Sequence, residues 1–179
     1  MVIHPEPDLA LNMYVDADFA GLWQHEPEQD PVCVKSRTGY CITLGGCPVH
    51  WVSKLQTEIA LSTLESEYIA LSQGMRDLVP MKRMLTELST AMSLDLDKPA
   101  NVVSTIFEDN QGAMITATAP TLTPRTKHIG VKYHWFKSHI DETTFRLQKI
   151  ASDEQRADIL TKGLPSETHK NIRKLLQGW

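Results

Sequence analysis

The sequence has few cysteines and no spacing that would join them to one another or to zinc. The three cysteines are Cys33, Cys41 and Cys47, an odd number without a CxxC pair. We therefore expect free thiols in a reducing compartment rather than a disulfide framework or a zinc knuckle. The histidines offer no better zinc site, because His128, His134 and His139 are six and five positions apart and do not repeat on one helical face.

Long apolar runs are also missing. No stretch approaches the roughly 20 apolar residues of a membrane span, and residues 1–10 do not form a signal peptide. These absences favour an intracellular protein without a membrane partner. We also expect no small-molecule cofactor. The 179 residues, 41% hydrophobic and 22% charged, fit one globular domain. We expect residues 1–10 to be a linker from a preceding region and residues 11–179 to form the domain.

The chain has no overall positive charge, and its net charge of −4 argues against a general nucleic-acid binder. Residues 124–138 are an exception, with four basic residues, no acid and hence a local charge of +4. The basic residues are Arg125, Lys127, Lys132 and Lys137, and three aromatic residues lie among them. This pattern is equally typical of a track for phosphates and of a solvated helix face with a buried aromatic side.

Alternating and β-rich runs predict the strands. They are residues 11–18, 39–44, 49–53, 102–107 and 143–150. The second and third flank a turn over residues 45–48 and should form a hairpin, so the simplest arrangement of the first three is antiparallel. The fourth is a continuous apolar run, as expected for a strand that is buried on both faces.

Apolar residues at three- and four-residue steps predict a long helix that begins at Ser62 or Thr63. Pro80 should break or kink it near residues 76–79, because proline cannot donate to the carbonyl four residues back and clashes with it. Further helices are predicted after residue 112 and over residues 129–140, 154–161 and 166–177. This order of elements indicates a single α/β or α+β domain.

Four acids lie in four separately patterned segments, each flanked by apolar residues that should be buried. They are Asp16, Glu67, Asp109 and Asp158. A carboxylate at the edge of a core is costly unless a cation is bound, and Mg²⁺ prefers oxygen ligands. Two such ions can activate a water and orient a phosphodiester. Taken singly, each acid has an ordinary alternative as a strand-end cap, a boundary residue or a helix-dipole partner.

Local geometry separates some of these acids from their neighbours. Asp18 shares a strand face with Asp16, so spacing leaves that choice open. Glu67 lies about 60° from the centre of the apolar stripe and Glu65 about 100° on the other side, so Glu65 should be the more exposed. Asp109 directly follows a buried strand, where ligands collect in α/β sheets. The preceding acid, residue 108, should point to the opposite side.

Five motifs occur in order between about residues 13 and 165, and they are YVDADFAG, KSRTGYCITLGGCPVHWVSKLQTEIALSTLESEYIALS, EDNQGAM, RTKHIGVKYHWFK and ADILTKGL. At these motifs the chain resembles the ribonuclease H domain of Copia-type (Pseudoviridae) retrotransposon polyproteins. The resemblance implies an α/β, RNase H-like fold, a five-stranded mixed sheet with helices on both faces. It also implies hydrolysis of the RNA strand of RNA–DNA hybrids with two Mg²⁺ ions, for which Mn²⁺ can substitute.

The resemblance assigns catalytic and metal-binding roles to Asp16, Glu67, Asp109 and Asp158. Contacts with nucleic acid would fall on Gln111, Arg125, Lys127, His128 and Lys132. The implied partners are the hybrid and the reverse transcriptase of the same polyprotein, in a cytoplasmic virus-like particle. The chain departs from many ribonucleases H in the segment QKIASDEQRAD, which lacks the histidine that they carry before the fourth acid.

Other functions fit the sequence less well. A non-catalytic tether module would not need all four acids, and an integrase-like transesterase would use three. A two-carboxylate glycosidase requires an aromatic sugar groove, whereas only 7% of residues are aromatic and no tryptophan lies near the acids. We therefore expect a two-metal endoribonuclease.

Overall fold

The N-terminal strand forms the centre of a five-stranded sheet of order β3-β2-β1-β4-β5. The strands are β1 Leu11–Asp18, β2 Arg37–Leu44, β3 Cys47–Leu55, β4 Ser104–Glu108 and β5 Phe145–Lys149. The computed structural model describes residues 4–6, 9–22, 30–92, 103–121, 129 and 131–177. β1, β2 and β3 are antiparallel, whereas β4 pairs in parallel with both β1 and β5. The predicted mixed sheet is confirmed.

Two glycines close the predicted hairpin more tightly than the sequence suggests. Gly45 and Gly46 have φ angles of 53° and 75°. Positive φ at both central residues is the geometry of a two-residue hairpin turn, which glycine adopts without steric cost. The expected four-residue turn is therefore too long, and Cys47 and Pro48 belong to β3.

Helix α1, Thr63–Ala91, is continuous, and the interruption expected at Pro80 is wrong. Pro80 is exposed, while the apolar stripe is fully buried before it and continues after it in the partly buried Met81 and Leu85. The fully buried members of that stripe are Tyr68, Leu71, Met75 and Leu78. Burial at about 2 kcal/mol for each side chain outweighs the roughly 3 kcal/mol that an interior proline costs. Tertiary packing thus maintains the helix.

The expected helix over residues 129–140 is also wrong, because this segment forms two short 3₁₀ helices, Val131–Tyr133 and Trp135–His139. Its buried aromatic side chains, Tyr133 and Phe136, are three residues apart, which is the period at which side chains line up in a 3₁₀ helix. The Trp135 Nε1 donates to Ser72 Oγ at 3.1 Å, which fastens the segment to α1.

The remaining helices lie near the predicted places. They are α2 Gln111–Thr118, α3 Asp158–Thr161 and α4 Ser166–Gln177. The predicted helix over residues 154–161 is shorter than expected, because the buried Gln155 instead donates from Nε2 to the Val15 carbonyl at 2.9 Å. Of the helices in the described residues, none combines the length and apolarity that crossing a membrane requires.

Helices cover both faces of the sheet. On one face, Gly74 of α1 lies so close to Met13 that an added Cβ would be 2.6 Å from its sulfur. On the other face, Gly39 of β2 packs equally closely against α3, since an added Cβ would be 2.5 Å from Thr161 Cγ2. The sheet edge between these two layers holds the acids described next.

Candidate functional site

Three of the four predicted acids converge at one end of the central strands. Asp16 near the end of β1, Glu67 in α1 and Asp109 after β4 each place a carboxylate oxygen within 4.8 Å of the other two. β1 and β4 are parallel neighbours, so their carboxyl ends meet at the same edge of the sheet. This topology brings together acids that are up to 93 positions apart in the chain.

The structure distinguishes the acids that spacing left open. Asp16, only 1% exposed, belongs to the three-carboxylate group and Asp18 does not. Glu65 is the more accessible of the two glutamates, as expected, at 8% against 4% for Glu67, but both are buried. The Glu65 Oε2 accepts the Leu61 N–H at 2.8 Å, which makes it part of the N-terminal cap of α1 rather than of the acid group.

Glu67 is buried in a way that leaves its charge poorly compensated. Burial, followed by the negative charges of Glu108, Asp16 and Asp109, raises its pKa from 4.5 to about 11, although the Ala17 N–H opposes this shift. Its Oε2 has no hydrogen-bond partner among the described residues. A buried carboxylate oxygen without a partner, beside two more carboxylates, matches the donor set of a hard divalent cation. The residues present therefore fit such an ion.

A fifth acid, Glu108, was set aside by the sequence reasoning but takes part in the electrostatics. It is fully buried, and its Oε1 accepts the Asn110 N–H at 3.0 Å. Burial is the main cause that raises the Glu108 pKa well above its ordinary value, and Asp109 and Asp16 add to it. Side chains alternate between faces within a strand, but Glu108 is the last residue of β4. Its negative charge is, after burial, the main cause that raises the Glu67 pKa, so it acts on the acid group.

The fourth predicted acid is held differently from the other three. Asp158 is the first residue of α3, and its Oδ1 lies 2.9 Å from the Lys162 Nζ, which is also 3.5 Å from Asp16 Oδ1. Burial and the charge of Asp16 raise the Asp158 pKa to about 6 against the opposing effect of Lys162. Thr161 donates its hydroxyl to Asp16 Oδ2. The motif ADILTK thus supplies an acid, a hydroxyl and a cation around Asp16.

Asp109 is held by the segment that lacks the expected histidine. Ser152 Oγ donates to Asp109 Oδ2 at 2.8 Å. Ser152 begins the 3₁₀ helix Ser152–Glu154, which precedes α3. From the segment before Asp158, a serine hydroxyl rather than an imidazole therefore contacts Asp109.

Two of the five residues predicted to contact nucleic acid, Gln111 and Lys132, lie among the described residues. Gln111 is exposed as the first residue of α2, directly after the site. Lys132 is half exposed and forms an ion pair with Glu58. Arg125, Lys127 and His128 lie outside the described residues. Lys137 of the same basic segment donates to the Thr116 carbonyl at 2.8 Å, so it fastens α2 to the 3₁₀ segment.

The contact of Gly39 with α3 predicts a sensitive position. Gly39 pairs with Asp16 across β1 and β2, and an added Cβ would lie 2.5 Å from Thr161 and 2.9 Å from Leu160. Gly39→Ala should therefore push α3, and with it Asp158, away from Asp16. We expect a loss of about 1–3 kcal/mol in the free energy of unfolding, measured by urea denaturation.

Gly163→Ala is the matched control for that substitution, because no atom lies within 4 Å of its added Cβ. It should leave the free energy of unfolding unchanged or raise it slightly, by up to about 1 kcal/mol. Equal stability of the Gly39→Ala and Gly163→Ala proteins would contradict the close packing of α3 on the sheet.

Comparison with known proteins finds plant transposon polyproteins that match nearly the whole chain in sequence. The chain is 36% identical over 169 residues to the retrovirus-related Pol polyprotein from transposon TNT 1-94 of Nicotiana tabacum, an alignment that covers 94% of the chain and 11% of the relative. It is 31% identical over 166 residues to that from transposon RE2 of Arabidopsis thaliana, covering 93% and 10%. The chain thus spans about a tenth of these relatives' length. No family model matches.

Solved structures agree with the fold. LC11-RNase H1, isolated from compost by a metagenomic approach, superposes with a TM-score of 0.57 at 16% identity, covering 86% of this chain and 93% of that one. The same enzyme in complex with an RNA/DNA hybrid gives a TM-score of 0.52 at 18% identity, covering 84% and 93%. At such low identities the likeness shows the fold alone, which is the RNase H-like α/β fold expected from the sequence.

Proposed function

Since the chain belongs to the copia-type retrotransposon Pol polyproteins and has the RNase H-like fold, we propose that it is an endoribonuclease that cuts the RNA strand of RNA–DNA hybrids. The observation that carries this proposal is the convergence of Asp16, Glu67 and Asp109 within 4.8 Å, with a buried Glu67 oxygen that lacks a partner. Like-charged groups at this separation are stable together only when protonated or paired with cations.

The acids would divide between two Mg²⁺ ions, with Mn²⁺ able to substitute. Asp16, Glu67 and Asp109 would hold one ion, while Asp16 and Asp158 would hold the other. When bound, such ions activate a water and stabilise the leaving oxygen of a phosphodiester. The protein orients these ligands through the Thr161 hydroxyl on Asp16 and the Ser152 hydroxyl on Asp109. The products would carry 5′-phosphate and 3′-hydroxyl ends.

An RNA–DNA hybrid is the proposed substrate, and the reverse transcriptase of the same polyprotein is the proposed partner. The complex of LC11-RNase H1 with an RNA/DNA hybrid supports the first, and the polyprotein relatives support the second. Gln111 and Lys132 are both exposed and would contact the hybrid, together with Arg125, Lys127 and His128. The proposed setting is a cytoplasmic virus-like particle.

The test is a gel assay with end-labelled RNA in an RNA–DNA hybrid, compared with the same RNA in a duplex with RNA and with a DNA duplex. We expect cleavage of the hybrid alone in Mg²⁺ or Mn²⁺, none in EDTA, and fragments that a 5′-phosphate-dependent exonuclease degrades. Hybrid binding without cleavage in Mn²⁺ would contradict the proposal and favour a non-catalytic tether module.

A further inference from the structure

The acid cluster contains a positively charged side chain, that of Lys162. The Lys162 Nζ lies 2.9 Å from Asp158 Oδ1 and 3.5 Å from Asp16 Oδ1, and so joins acids from β1 and α3. The ammonium thus lies between the two carboxylates as their shared counter-ion.

The described residues give the other half of the cluster no such counter-ion, because none of their ion pairs includes Glu67 or Asp109. Asp109 accepts a hydrogen bond from the neutral hydroxyl of Ser152, and one carboxylate oxygen of Glu67 has no hydrogen-bond partner among the described residues. The acids thus form two unequal cation positions that share Asp16. The described residues place no positive charge at the position of Glu67 and Asp109. At the position of Asp16 and Asp158, Lys162 supplies one.

We propose that Lys162 is a resident counter-ion at the Asp16–Asp158 position, and that a second divalent ion binds there only by displacing its ammonium group. The inference rests on the proposed function, since it concerns the metal ions of the same acids. It makes Lys162 a positioning residue that sets the order of loading. The first ion enters the three-carboxylate position, and the second competes with the lysine.

Displacement is physically accessible to this side chain. An ammonium and a divalent ion cannot share the same carboxylate oxygens, because the two positive charges would repel at a distance of a few ångströms. The Lys162 side chain is 37% exposed, and a lysine has a flexible four-carbon stem that can move its charge into water. Release of the ammonium therefore does not require the core to open.

The experiment is a calorimetric titration of the purified 179-residue protein with Mn²⁺, comparing wild type with Lys162→Met. Methionine keeps the length of the side chain and removes its charge. In the wild type we expect one ion to bind at least about ten-fold more tightly than a second. In the variant the second ion should bind about ten-fold more tightly than in the wild type, while the first is unchanged, in the range of coupling between adjacent sites.

Thermal unfolding supplies an independent readout. In EDTA, Lys162→Met should melt below the wild type, because Asp16 and Asp158 then face each other without a cation, and saturating Mn²⁺ should remove the difference. Lys170→Met is the matched control, since Lys170 is an exposed lysine of α4 that pairs with Glu167. It should change neither the Mn²⁺ affinities nor the melting temperature by more than the error of measurement.

The proposal is overturned if Lys162→Met binds the second ion no more tightly than the wild type, or binds no second ion. Equal affinities of the wild type for both ions would overturn it as well. These outcomes are separate from a failure of the proposed function, which would appear as absence of hybrid cleavage in Mn²⁺, whatever the titration shows.

Discussion

Asp109→Asn should abolish Mg²⁺-dependent cleavage of an RNA–DNA hybrid and leave the fold intact. Asparagine has nearly the same shape as aspartate, and its carbonyl oxygen can still accept the 2.8 Å hydrogen bond from Ser152. It removes one anionic ligand from a group whose oxygens lie within 4.8 Å of one another. We expect a rate loss of at least about 10³-fold, which corresponds to about 4 kcal/mol of transition-state stabilisation.

Single-turnover cleavage of labelled hybrid in saturating Mg²⁺ measures this loss. Asp153→Asn is the matched control, because Asp153 is an exposed acid of the neighbouring 3₁₀ helix. The Asp153→Asn protein should cleave the hybrid at the wild-type rate. Wild-type activity in Asp109→Asn would rule out Asp109 as a metal ligand, whereas a lowered melting temperature would attribute the loss to misfolding.

The sheet could be predicted from the sequence because its signals are local. Alternation over residues 11–18 gave β1 with its observed bounds, and α4 likewise begins and ends where periodicity placed it. The Gly45-Gly46 turn fixes which strands are neighbours. Such patterns reflect one buried face, which a short window of sequence contains in full.

The errors arose where distant contacts outweigh local preference. Pro80 does not end α1, because the residues around it are buried against a sheet that lies far away in the sequence. Residues 131–139 are not α-helical, since side chains of this segment form hydrogen bonds with distant residues, namely Tyr68, Ser72 and Thr116. Helix propensity describes only the local contribution to the free energy of folding, and tertiary packing outweighs it in both segments.

The candidate site was partly predictable for the same reason. Glu67 follows from helix geometry, and Asp109 from its place after a buried strand. The preference for Asp16 over Asp18 rested on the family resemblance alone, and in the structure Asp16 belongs to the three-carboxylate group. The contacts of Lys162 with Asp16 and Asp158 were not predictable, because they depend on how α3 lies against the sheet.

A second substitution should separate stability from function at Glu67. Glu67→Gln is expected to stabilise the metal-free domain by about 2 kcal/mol at pH 8. Burial and three neighbouring acids raise the Glu67 pKa from 4.5 to about 11, and each unit of pKa difference between folded and unfolded states is worth about 1.4 kcal/mol. Glutamine avoids this cost, although its amide must then find hydrogen bonds in the same buried place.

The stabilising effect has a definite dependence on pH. Because the folded-state pKa of Glu67 lies above the unfolded value of 4.5, this group favours folding fully only below about pH 4.5, and its contribution falls as the pH rises toward the folded-state value. The gain from Glu67→Gln should therefore be small at pH 4.5 and larger at pH 8. Urea unfolding in EDTA at both pH values measures it, with the exposed Glu87→Gln on the same helix as the control.

Divalent ions should reverse the order of stability. Mn²⁺ binds the folded state of the wild type and so stabilises it by mass action, whereas Glu67→Gln lacks one anionic ligand and should gain less and lose hybrid cleavage by at least about 10²-fold. A wild type that is more stable than Glu67→Gln in EDTA at pH 8 would mean that the carboxylate is not under strain. If Glu67→Gln is the more stable protein in EDTA and the wild type is the more stable in Mn²⁺, Glu67 destabilises the metal-free fold because it is a metal ligand without its cation.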